Sequence, residues 1–335
     1  MDTKQIPAVQ KLTTEGMQQV WHGKPYYSLD AYCKNTFGEK LYKVSLNAGL
    51  SCPNRDGTLD TRGCIFCSGG SGDFAAPLPF DKDPERSFHL AFEKGIHSLS
   101  GKSTGKRYIA YFQAFTNTYG PLPYLEKIYR LALREPLVAG ISIATRPDTL
   151  PGEVLELLCR LKEEYPSKFI WVELGLQTIH EDTARFIRRG YSLSCFDQSV
   201  ARLHQAQIPV ITHVILGLPG ESDREMLETV SYLNHMPISG IKLQLLHILK
   251  GTDLGERYQK DPGRYCVIDS LDLYLEILIS CITHLRPDLV IHRVTGDANR
   301  SLLLAPLWSG NKRHILNSLH REMRNSNAFQ GKFFQ

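Results

Sequence analysis

Apolar and polar residues alternate along most of the chain in two periods, one typical of strands and one of amphipathic helices. Runs rich in Val, Ile, Leu, Tyr and Phe predict seven strands, at 41–49, 107–116, 137–145, 168–178, 210–218, 240–249 and 289–295. Apolar residues three or four apart predict helices at 84–99, 124–135, 153–165, 181–188, 195–207, 223–235 and 268–285. This alternation of strands and helices predicts an α/β fold with a parallel sheet and right-handed crossovers.

Seven strands in this order fit an open, incomplete β/α barrel better than a flat doubly wound sheet. Residues 1–38 are polar and aromatic without a clear period, and we expect an N-terminal lead-in that packs on the barrel. The barrel is expected over 39–300, and the tail 301–335 contains an amphipathic helix at about 309–324. In a barrel, chemistry lies at the C-terminal ends of the strands.

Composition narrows the class of protein. The 335 residues are 42% hydrophobic and 22% charged, which is typical of a globular protein with a large core. The net charge of +4 permits nucleic-acid binding without requiring it. The eight cysteines show no disulfide pattern, the N-terminus lacks an apolar signal core, and no apolar run reaches membrane-spanning length. We therefore expect a cytoplasmic protein with reduced thiols and no membrane contact.

Three cysteines lie close together in a loop that follows the first predicted strand. Cys52, Cys64 and Cys67 are spaced C-x11-C-x2-C within 50–72, where Pro, Asn, Asp and Gly favour successive turns. Three thiolates from one loop suit a soft metal centre and leave one coordination position open for a ligand. The spacing admits a reactive iron–sulfur cluster, a structural zinc site with a histidine as fourth ligand, or free cysteines that cluster by coincidence.

Polar residues on later strands are candidates for catalysis. His213, Lys242 and His247 lie on predicted strands whose alternation points them inward. A histidine titrates near neutral pH and suits proton transfer, and a lysine suits an anionic substrate group. The alternatives are core histidines satisfied by hydrogen bonds, and a lysine paired with a buried carboxylate such as Asp148 or Asp297. His213 and Lys242 are our candidate catalytic residues.

Several stretches resemble the radical S-adenosylmethionine (SAM) superfamily and, within it, the catalytic subunit of Elongator. The three-cysteine loop after the first strand is the mark of that superfamily. The stretches that resemble Elongator are TRPDTL (145–150), LGLQT (174–178), HVILGLPGE (213–221) and IKLQLLHILKGTDL (241–254). The resemblance covers roughly 40–300 and points to a small bacterial branch without Elongator's acetyltransferase domain. It implies a partial (β/α)6-type radical SAM barrel with N- and C-terminal extensions.

The resemblance also implies the cofactors. Cys52, Cys64 and Cys67 would hold three irons of a [4Fe–4S] cluster, and the fourth iron would take the amino and carboxylate groups of SAM. Electrons would come from a flavodoxin or ferredoxin-type donor. The cluster would cleave SAM reductively and generate a 5′-deoxyadenosyl radical, while the protein positions both cofactors.

Contacts to SAM are implied at four further positions. Gln177 matches a residue that contacts the ribose, and Arg189 matches one that holds the carboxylate, with Arg188 beside it as the alternative. The usual Gly-Gly motif of the second strand is absent. The SAM amino group would therefore meet backbone carbonyls from Gln113 onward, or the Asn117 side chain. For Gln177, the alternative is a strand-end amide bonded to backbone. For Arg189 and Arg188, the alternative is a solvated cation at a helix end.

The substrate that the resemblance implies is tRNA, at the side chain of a modified wobble uridine. The candidate phosphate contacts are the cations of the tail helix, Lys312, Arg313, Arg321 and Arg324. A charge run of this kind is also typical of a solvated helix face. Two other functions stay open at this point: a radical SAM enzyme with a small-molecule or porphyrin-like substrate, and a non-enzymatic zinc-dependent RNA-binding protein.

Overall fold

The computed structural model describes residues 14–68, 80, 82–102 and 105–334. These residues form two compact units. The cysteine unit comprises the described residues of 41–176 and 184–212, and the terminal unit comprises those of 1–40, 177–183 and 213–335. The last four positions of the cysteine-rich stretch 50–72 lie outside the described residues.

Strands and helices alternate along the described chain. The strands are β1 (Tyr42–Leu46), β2 (Tyr108–Phe112), β3 (Val138–Thr145), β4 (Phe169–Gln177), β5 (Val210–Leu216), β6 (Gly240–Leu245), β7 (Ile248–Leu249), β8 (Val290–Arg293) and β9 (Leu303–Ala305). The helices are α1 (Thr14–Val20), α2 (Leu29–Phe37), α3 (Pro84–His97), α4 (Leu122–Arg134), α5 (Gly152–Glu164), α6 (Glu181–Phe186), α7 (Leu193–Gln205), α8 (Asp223–Asn234), α9 (Asp253–Lys260), α10 (Pro262–Tyr265), α11 (Leu271–His284) and α12 (Lys312–Asn325).

The main sheet has the strand order β1-β2-β3-β4-β5-β6-β8. The pairs β1–β2, β2–β3, β3–β4 and β6–β8 are parallel, with Val44 opposite Ala110 and Ala110 opposite Ile141. Because β1 and β8 stand at the two ends of this order, the described sheet is open. All seven predicted strands are therefore present, and the predicted parallel α/β sheet is confirmed.

The core of the cysteine unit explains why its strands read as apolar runs. Every residue of β2 and β3 is buried, as expected for central strands of a parallel sheet covered on both faces. The helices bury one face each, and α5 does so through Val154, Leu157, Leu158 and Leu161. That spacing of three and four residues is the helical period seen in the sequence.

Side-chain caps fix where several helices begin. Helix α8 starts after Ser222, whose hydroxyl accepts from the Glu225 amide while the Glu225 carboxylate accepts from the Ser222 amide. The Ser192 hydroxyl caps α7 by accepting from the Cys195 amide, and α7 begins two residues before the predicted start.

The predicted strand 240–249 is wrong in one respect, because the structure divides it into β6 and β7. The Leu246 amide donates to the Leu216 carbonyl at 2.9 Å, which takes Leu246 and His247 out of the strand. Strand β7 then pairs antiparallel with β9, with Ile248 opposite Ala305. His247 therefore lies in a connection rather than on a strand, contrary to the sequence prediction.

The first and last described segments of the terminal unit meet beside β8. Tyr27 and Trp21 pack in a cluster with Val290. The Tyr27 amide donates to the Gln330 side-chain oxygen at 2.9 Å, and the Gln330 amide group donates to the Leu289 carbonyl at 2.8 Å. Helices α1 and α2 in this lead-in were not predicted, and the boundaries 1–38, 39–300 and 301–335 stay a prediction. Among the described helices, none combines the length and apolarity needed to cross a bilayer.

Candidate functional site

The three cysteines lie in one loop of the cysteine unit, which begins after β1. Cys52, Cys64 and Cys67 are half-buried free thiols. The other cysteines of the chain are also free, and each of them is half-buried or buried. The loop is built from turns: the Arg55 amide donates to the Cys52 carbonyl at 2.8 Å, and the Cys67 amide donates to the Cys64 carbonyl at 3.0 Å. The predicted loop of successive turns is therefore present.

Asn54 fastens this loop to the chain that follows α6. Its buried amide nitrogen Nδ2 donates to the carbonyls of Arg188 at 2.7 Å and Arg189 at 3.3 Å, and it lies 3.5 Å from the Cys64 sulfur. Gly190 has a φ of +82°, and a Cβ there would lie 2.8 Å from Asn54 Oδ1. A glycine is required at this contact on both counts, since it tolerates the left-handed conformation and leaves room for Asn54.

Arg55 closes the same loop from its other side. Its Nη2 donates to the carbonyls of Cys67 at 2.7 Å and Ser68 at 2.9 Å. The guanidinium lies against Gly63, where a Cβ would come within 2.9 Å of the Arg55 Cζ. Through Asn54 and Arg55, side chains from the first part of the loop hold the segment that carries the second and third cysteines.

Burial raises the pKa of the Cys64 thiol to about 12. Negative charge at the neighbouring Cys67 and Cys52 acts in the same direction, whereas Arg146 and the Asn54 hydrogen bond oppose the rise in pKa. Cys64 is therefore a protonated thiol at neutral pH when no metal is bound, and metal binding must displace its proton. Among the described residues, no three His, Cys, Asp or Glu side chains gather around the position of a single ion.

A buried arginine pair lies beside the cysteine loop. Arg146, directly after β3, forms a fork with Asp148 through Nε–Oδ1 at 2.9 Å and Nη2–Oδ2 at 2.7 Å. Its guanidinium carbon lies 4.9 Å from the centre of the Tyr191 ring, and the Arg189 guanidinium carbon lies 5.1 Å from the same centre. Asp148 thus pairs with Arg146.

The residues expected to contact SAM occupy different environments. Asn117 is fully buried, and its Nδ2 donates to the carbonyls of Ala114 at 3.1 Å and Ala144 at 3.0 Å. Its Oδ1 is buried and finds no hydrogen-bond partner among the residues that the structure describes. Gln113 is half-buried at the end of β2, where its amide donates to the Leu46 carbonyl.

Gln177 and Arg189 are the other two predicted SAM contacts. Gln177 ends β4 with a φ of +68°, and its side-chain Oε1 is buried without a hydrogen-bond partner in the described chain. Arg189 is buried, and its Nε and Nη1 donate to the carbonyls of Tyr191 at 2.9 Å and Leu176 at 3.2 Å. Two of the Arg189 nitrogens are therefore already bonded to backbone.

The candidate catalytic residues belong to the terminal unit. His213 is half-buried on β5, and Lys242 is buried on β6 with 3% of its surface exposed. Asp297, one suggested partner for Lys242, forms ion pairs with Arg293 at 3.1 Å and with Lys312 at 2.7 Å.

A buried ion pair of the cysteine unit was missed by sequence reasoning. The fully buried Glu173 on β4 accepts hydrogen bonds from Lys43 on β1 and from the Ser142 hydroxyl on β3. The available signal was a carboxylate in the apolar run FIWVELGLQ and a lysine in the first strand. A charged residue inside such a run predicts a buried partner of opposite charge.

Comparison with known proteins gives two family matches. The profile described as "Radical SAM superfamily" matches residues 61–233, and the one described as "Radical_SAM C-terminal domain" matches 238–325. The first range includes Cys64 and Cys67 and begins after Cys52.

Individual proteins resemble the chain along most of its length. YtqA of Bacillus subtilis is 40% identical over 318 residues, which cover 93% of this chain and 94% of that protein. YhcC of Escherichia coli K12 is 36% identical over 295 residues, 88% of this chain and 91% of that protein. Elongator complex protein 3 of mouse is 25% identical over 179 residues, 52% of this chain and 31% of that protein.

One solved structure supports the fold. It is the archaeal Elp3 of Methanocaldococcus infernus with an N-terminal deletion, which superposes with a TM-score of 0.62 at 14% identity. The match covers 87% of this chain and 64% of that chain. The predicted partial (β/α) barrel fold class is thereby confirmed.

The family follows from these matches together. One profile covers just over half of the 335 residues, and a relative at 40% identity covers almost the whole chain. Enzymes of this family use a [4Fe–4S] cluster and SAM, and they take electrons from donors such as flavodoxin. The chain belongs to the radical SAM superfamily, in a branch that resembles Elp3.

Proposed function

We propose that Cys52, Cys64 and Cys67 each bind one iron of a [4Fe–4S] cluster at which the chain cleaves SAM reductively. The observation that carries this proposal is the loop itself, which holds three thiols in one unit directly after β1 and is fastened by Asn54 and Arg55. With three protein thiolates, the fourth iron is open to SAM. When bound, the two cofactors supply the 5′-deoxyadenosyl radical.

The donor set of the loop fits such a cluster. Each thiolate of the cluster binds a different iron, so the three sulfurs do not need to meet at one ion. Asn54 Nδ2 lies near the Cys64 sulfur and the charge of Arg146 favours the Cys64 thiolate, and both effects help the thiol to lose its proton to a metal.

Two buried oxygen atoms support contacts with SAM, each on its own evidence. A buried acceptor without a donor is costly, and the amino group of SAM, which keeps its N–H bonds when it binds iron, is a suitable donor for Asn117 Oδ1. A ribose hydroxyl is a suitable donor for Gln177 Oε1. Two SAM contacts stay predictions, that of the Gln113 carbonyl and that of Arg189 with the SAM carboxylate. The catalytic roles of His213 and Lys242 also stay predictions.

Replacement of the cysteines tests the cluster. The parent protein, purified without oxygen, is expected to be brown, to hold about four irons per chain and to cleave SAM when reduced. Cys52→Ala, Cys64→Ala and Cys67→Ala should each lose the cluster and the cleavage of SAM. Cys159→Ala is the matched control and should keep both, because Cys159 lies on α5. A colourless parent protein with one tightly bound zinc would contradict the proposal.

We further propose that the substrate is tRNA, at the side chain of a modified wobble uridine. The proposal is supported by the likeness to Elongator complex protein 3 and by the cations of α12. Helix α12 buries Ile315, Leu319 and Met323, and it exposes Lys312, Arg313, Arg321 and Arg324. Exposed cations on one helix suit contacts with the phosphates of RNA.

Neutralising the four cations of α12 tests where tRNA binds. Replacement of Lys312, Arg313, Arg321 and Arg324 by Gln should weaken tRNA binding and flatten its salt dependence, because fewer counterions are released. SAM cleavage without substrate should not change. The matched control replaces four other exposed cations, Lys127, Arg134, Arg160 and Arg224, and should bind tRNA as the parent does. Equal affinities of both variants at every salt concentration would exclude α12 as the docking surface.

Analysis of the nucleosides in tRNA tests the proposed substrate. Mass spectrometry of tRNA from cells with and without the protein should show a difference at a modified wobble uridine. A parent protein that cleaves SAM but binds no tRNA and changes no nucleoside would favour the alternative of a small-molecule or porphyrin-like substrate. A protein that binds RNA with zinc and without iron would favour the non-enzymatic alternative.

A further inference from the structure

A fixed positive charge lies beside the three-cysteine loop. It belongs neither to a proposed iron ligand nor to a proposed SAM contact. Arg146 is buried, with 8% of its surface exposed, and its guanidinium is held by the fork to Asp148 and by the Tyr191 ring. Its Nη2 lies 3.2 Å from the position of a Cβ on Gly190. The same position is 2.8 Å from Asn54 Oδ1, and Asn54 is the side chain next to the Cys64 sulfur.

The charge of Arg146 acts on the cysteine loop, and Asp148 partly balances it. The positive charge of Arg146 interacts with Cys52 and with Cys64. At Cys195, near the start of α7, the charges of Arg146 and Asp148 act in opposite directions. The loop thiols Cys52 and Cys64 therefore lie within reach of the Arg146 charge.

We propose that Arg146 raises the reduction potential of the cluster held by Cys52, Cys64 and Cys67, and so acts as a positioning residue for electron uptake. This inference rests on the proposed function of the three cysteines. In the step concerned, a low-potential donor of the flavodoxin or ferredoxin class gives one electron to the cluster, which passes from the 2+ to the 1+ state. No bond is broken and no proton moves in this step.

The sign of the effect follows from electrostatics. Reduction adds one negative charge to a cluster that already carries thiolates, and a nearby cation stabilises the reduced state more than the oxidised state. The effect is strong where water is excluded, as it is at a buried guanidinium. An arginine keeps its charge under all conditions in which the protein is folded, and its planar fork fixes the position of that charge.

Redox titration of the cluster tests the proposal. The protein is reconstituted with iron and sulfide and poised at a series of potentials without SAM, and the reduced cluster is measured by its electron paramagnetic resonance signal. Arg146→Gln should lower the ratio of reduced to oxidised cluster at a fixed potential about tenfold, which is about 59 mV for one electron. Asp148→Asn should shift the potential in the opposite direction, because it leaves the charge of Arg146 uncompensated. Arg146→Lys should retain most of the parent value.

The controls separate this effect from loss of structure. Arg130→Gln removes another arginine of the cysteine unit that is paired with carboxylates, and it should leave the potential unchanged. A general loosening of the fold would shift the reduction potentials of Arg146→Gln and Asp148→Asn in the same direction. The proposal therefore requires shifts in opposite directions. If Arg146→Gln fails to hold iron, the other two variants decide the question. The proposal then requires a raised reduction potential in Asp148→Asn and a potential close to that of the parent in Arg146→Lys.

Two failures are distinguishable. A parent protein that holds about four irons, with shifts that are absent or in one direction in the variants, overturns the role of Arg146 and leaves the proposed function intact. A parent protein without iron or without the signal overturns the proposed function and this inference with it.

Discussion

Asn117 combines full burial with an oxygen that has no donor in the described chain. Its other amide atom is fully used, because Nδ2 donates to the carbonyls of Ala114 and Ala144. These two bonds fix the orientation of the amide, so that Oδ1 cannot turn to a backbone donor without losing them. An acceptor held in this way is suited to receive a ligand.

Replacement of Asn117 tests this assignment. Asn117→Ala should weaken SAM binding about fivefold, since a hydrogen bond between uncharged groups contributes about 1 kcal/mol. The iron content should stay that of the parent. The measurement is equilibrium binding of SAM to the reconstituted protein, with Ser199→Ala as the control because it removes a buried side chain of the cysteine unit that donates to a backbone carbonyl. Equal SAM affinity of Asn117→Ala and the parent would exclude the contact.

The residues of the site were predictable to different extents. Cys52, Cys64 and Cys67 were found because their spacing and the turn residues around them lie in one short stretch. Asn54 was not found, because its partners follow it by more than 130 positions in the chain. The pairing of Arg146 with Asp148 was also missed, although both stand in TRPDTL, since a sequence does not show which carboxylate a cation chooses.

At the scale of elements, strands β1 and β4 are linked by a charge pair inside an apolar sheet. Glu173 has no exposed surface, and the side chain of Lys43 is 15% exposed. Glu173 also accepts from Ser142 at 2.6 Å, so that β1, β3 and β4 all contribute to this polar group. A buried carboxylate depends on such partners, because transfer of a lone charge from water is very unfavourable.

Removal of the lysine should show this dependence. Lys43→Met should lower the free energy of unfolding by about 3–5 kcal/mol, because it leaves a buried carboxylate without its cation. The double variant Lys43→Met with Glu173→Met should recover most of this loss, since an apolar pair of similar size is often as stable as a buried ion pair. Urea unfolding of the three proteins measures both effects. A loss below about 1 kcal/mol in the single variant would contradict the prediction.

Seven strands were predictable in number and in position along the chain because central parallel strands are continuous apolar runs, as β2 and β3 show. The break between β6 and β7 was not, because it depends on the Leu246 amide, which bonds to the carbonyl of Leu216 on β5. The short strand β9 and the helix α9 carry too few residues to show a period.

For the molecule as a whole, His247 should make stability depend on pH. Its pKa is lowered to about 4, chiefly by burial; the charge of Asp297 opposes this shift, and Arg293 and Lys312 add to it. The unfolded chain, with an ordinary histidine pKa of about 6.5, therefore takes up the proton first as the pH falls. The neutral ring supports the fold fully above about pH 6.5, and this support is lost as the pH falls towards 4.

The size of this effect is about 3 kcal/mol, because each unit of pKa difference corresponds to about 1.36 kcal/mol. His247→Asn should remove this part of the acid sensitivity while other groups keep theirs. The test compares the unfolding free energies of the parent and the variant at intervals from pH 7 to pH 4. Parallel curves for the two proteins would show that His247 does not titrate in this way.

The contact between Tyr27 and Gln330 has a consequence for how the protein is made. The two residues are 303 positions apart, and at about 5–20 residues per second the ribosome needs roughly 15–60 s to pass from one to the other. During that time the Tyr27 amide lacks its native acceptor, whereas the segments of the cysteine unit have all been synthesised by Thr212. All segments of the thiol-bearing unit are therefore available while the aromatic segment around Trp21 still lacks its C-terminal partners. Early release of the chain would leave that segment exposed to chaperones and proteases.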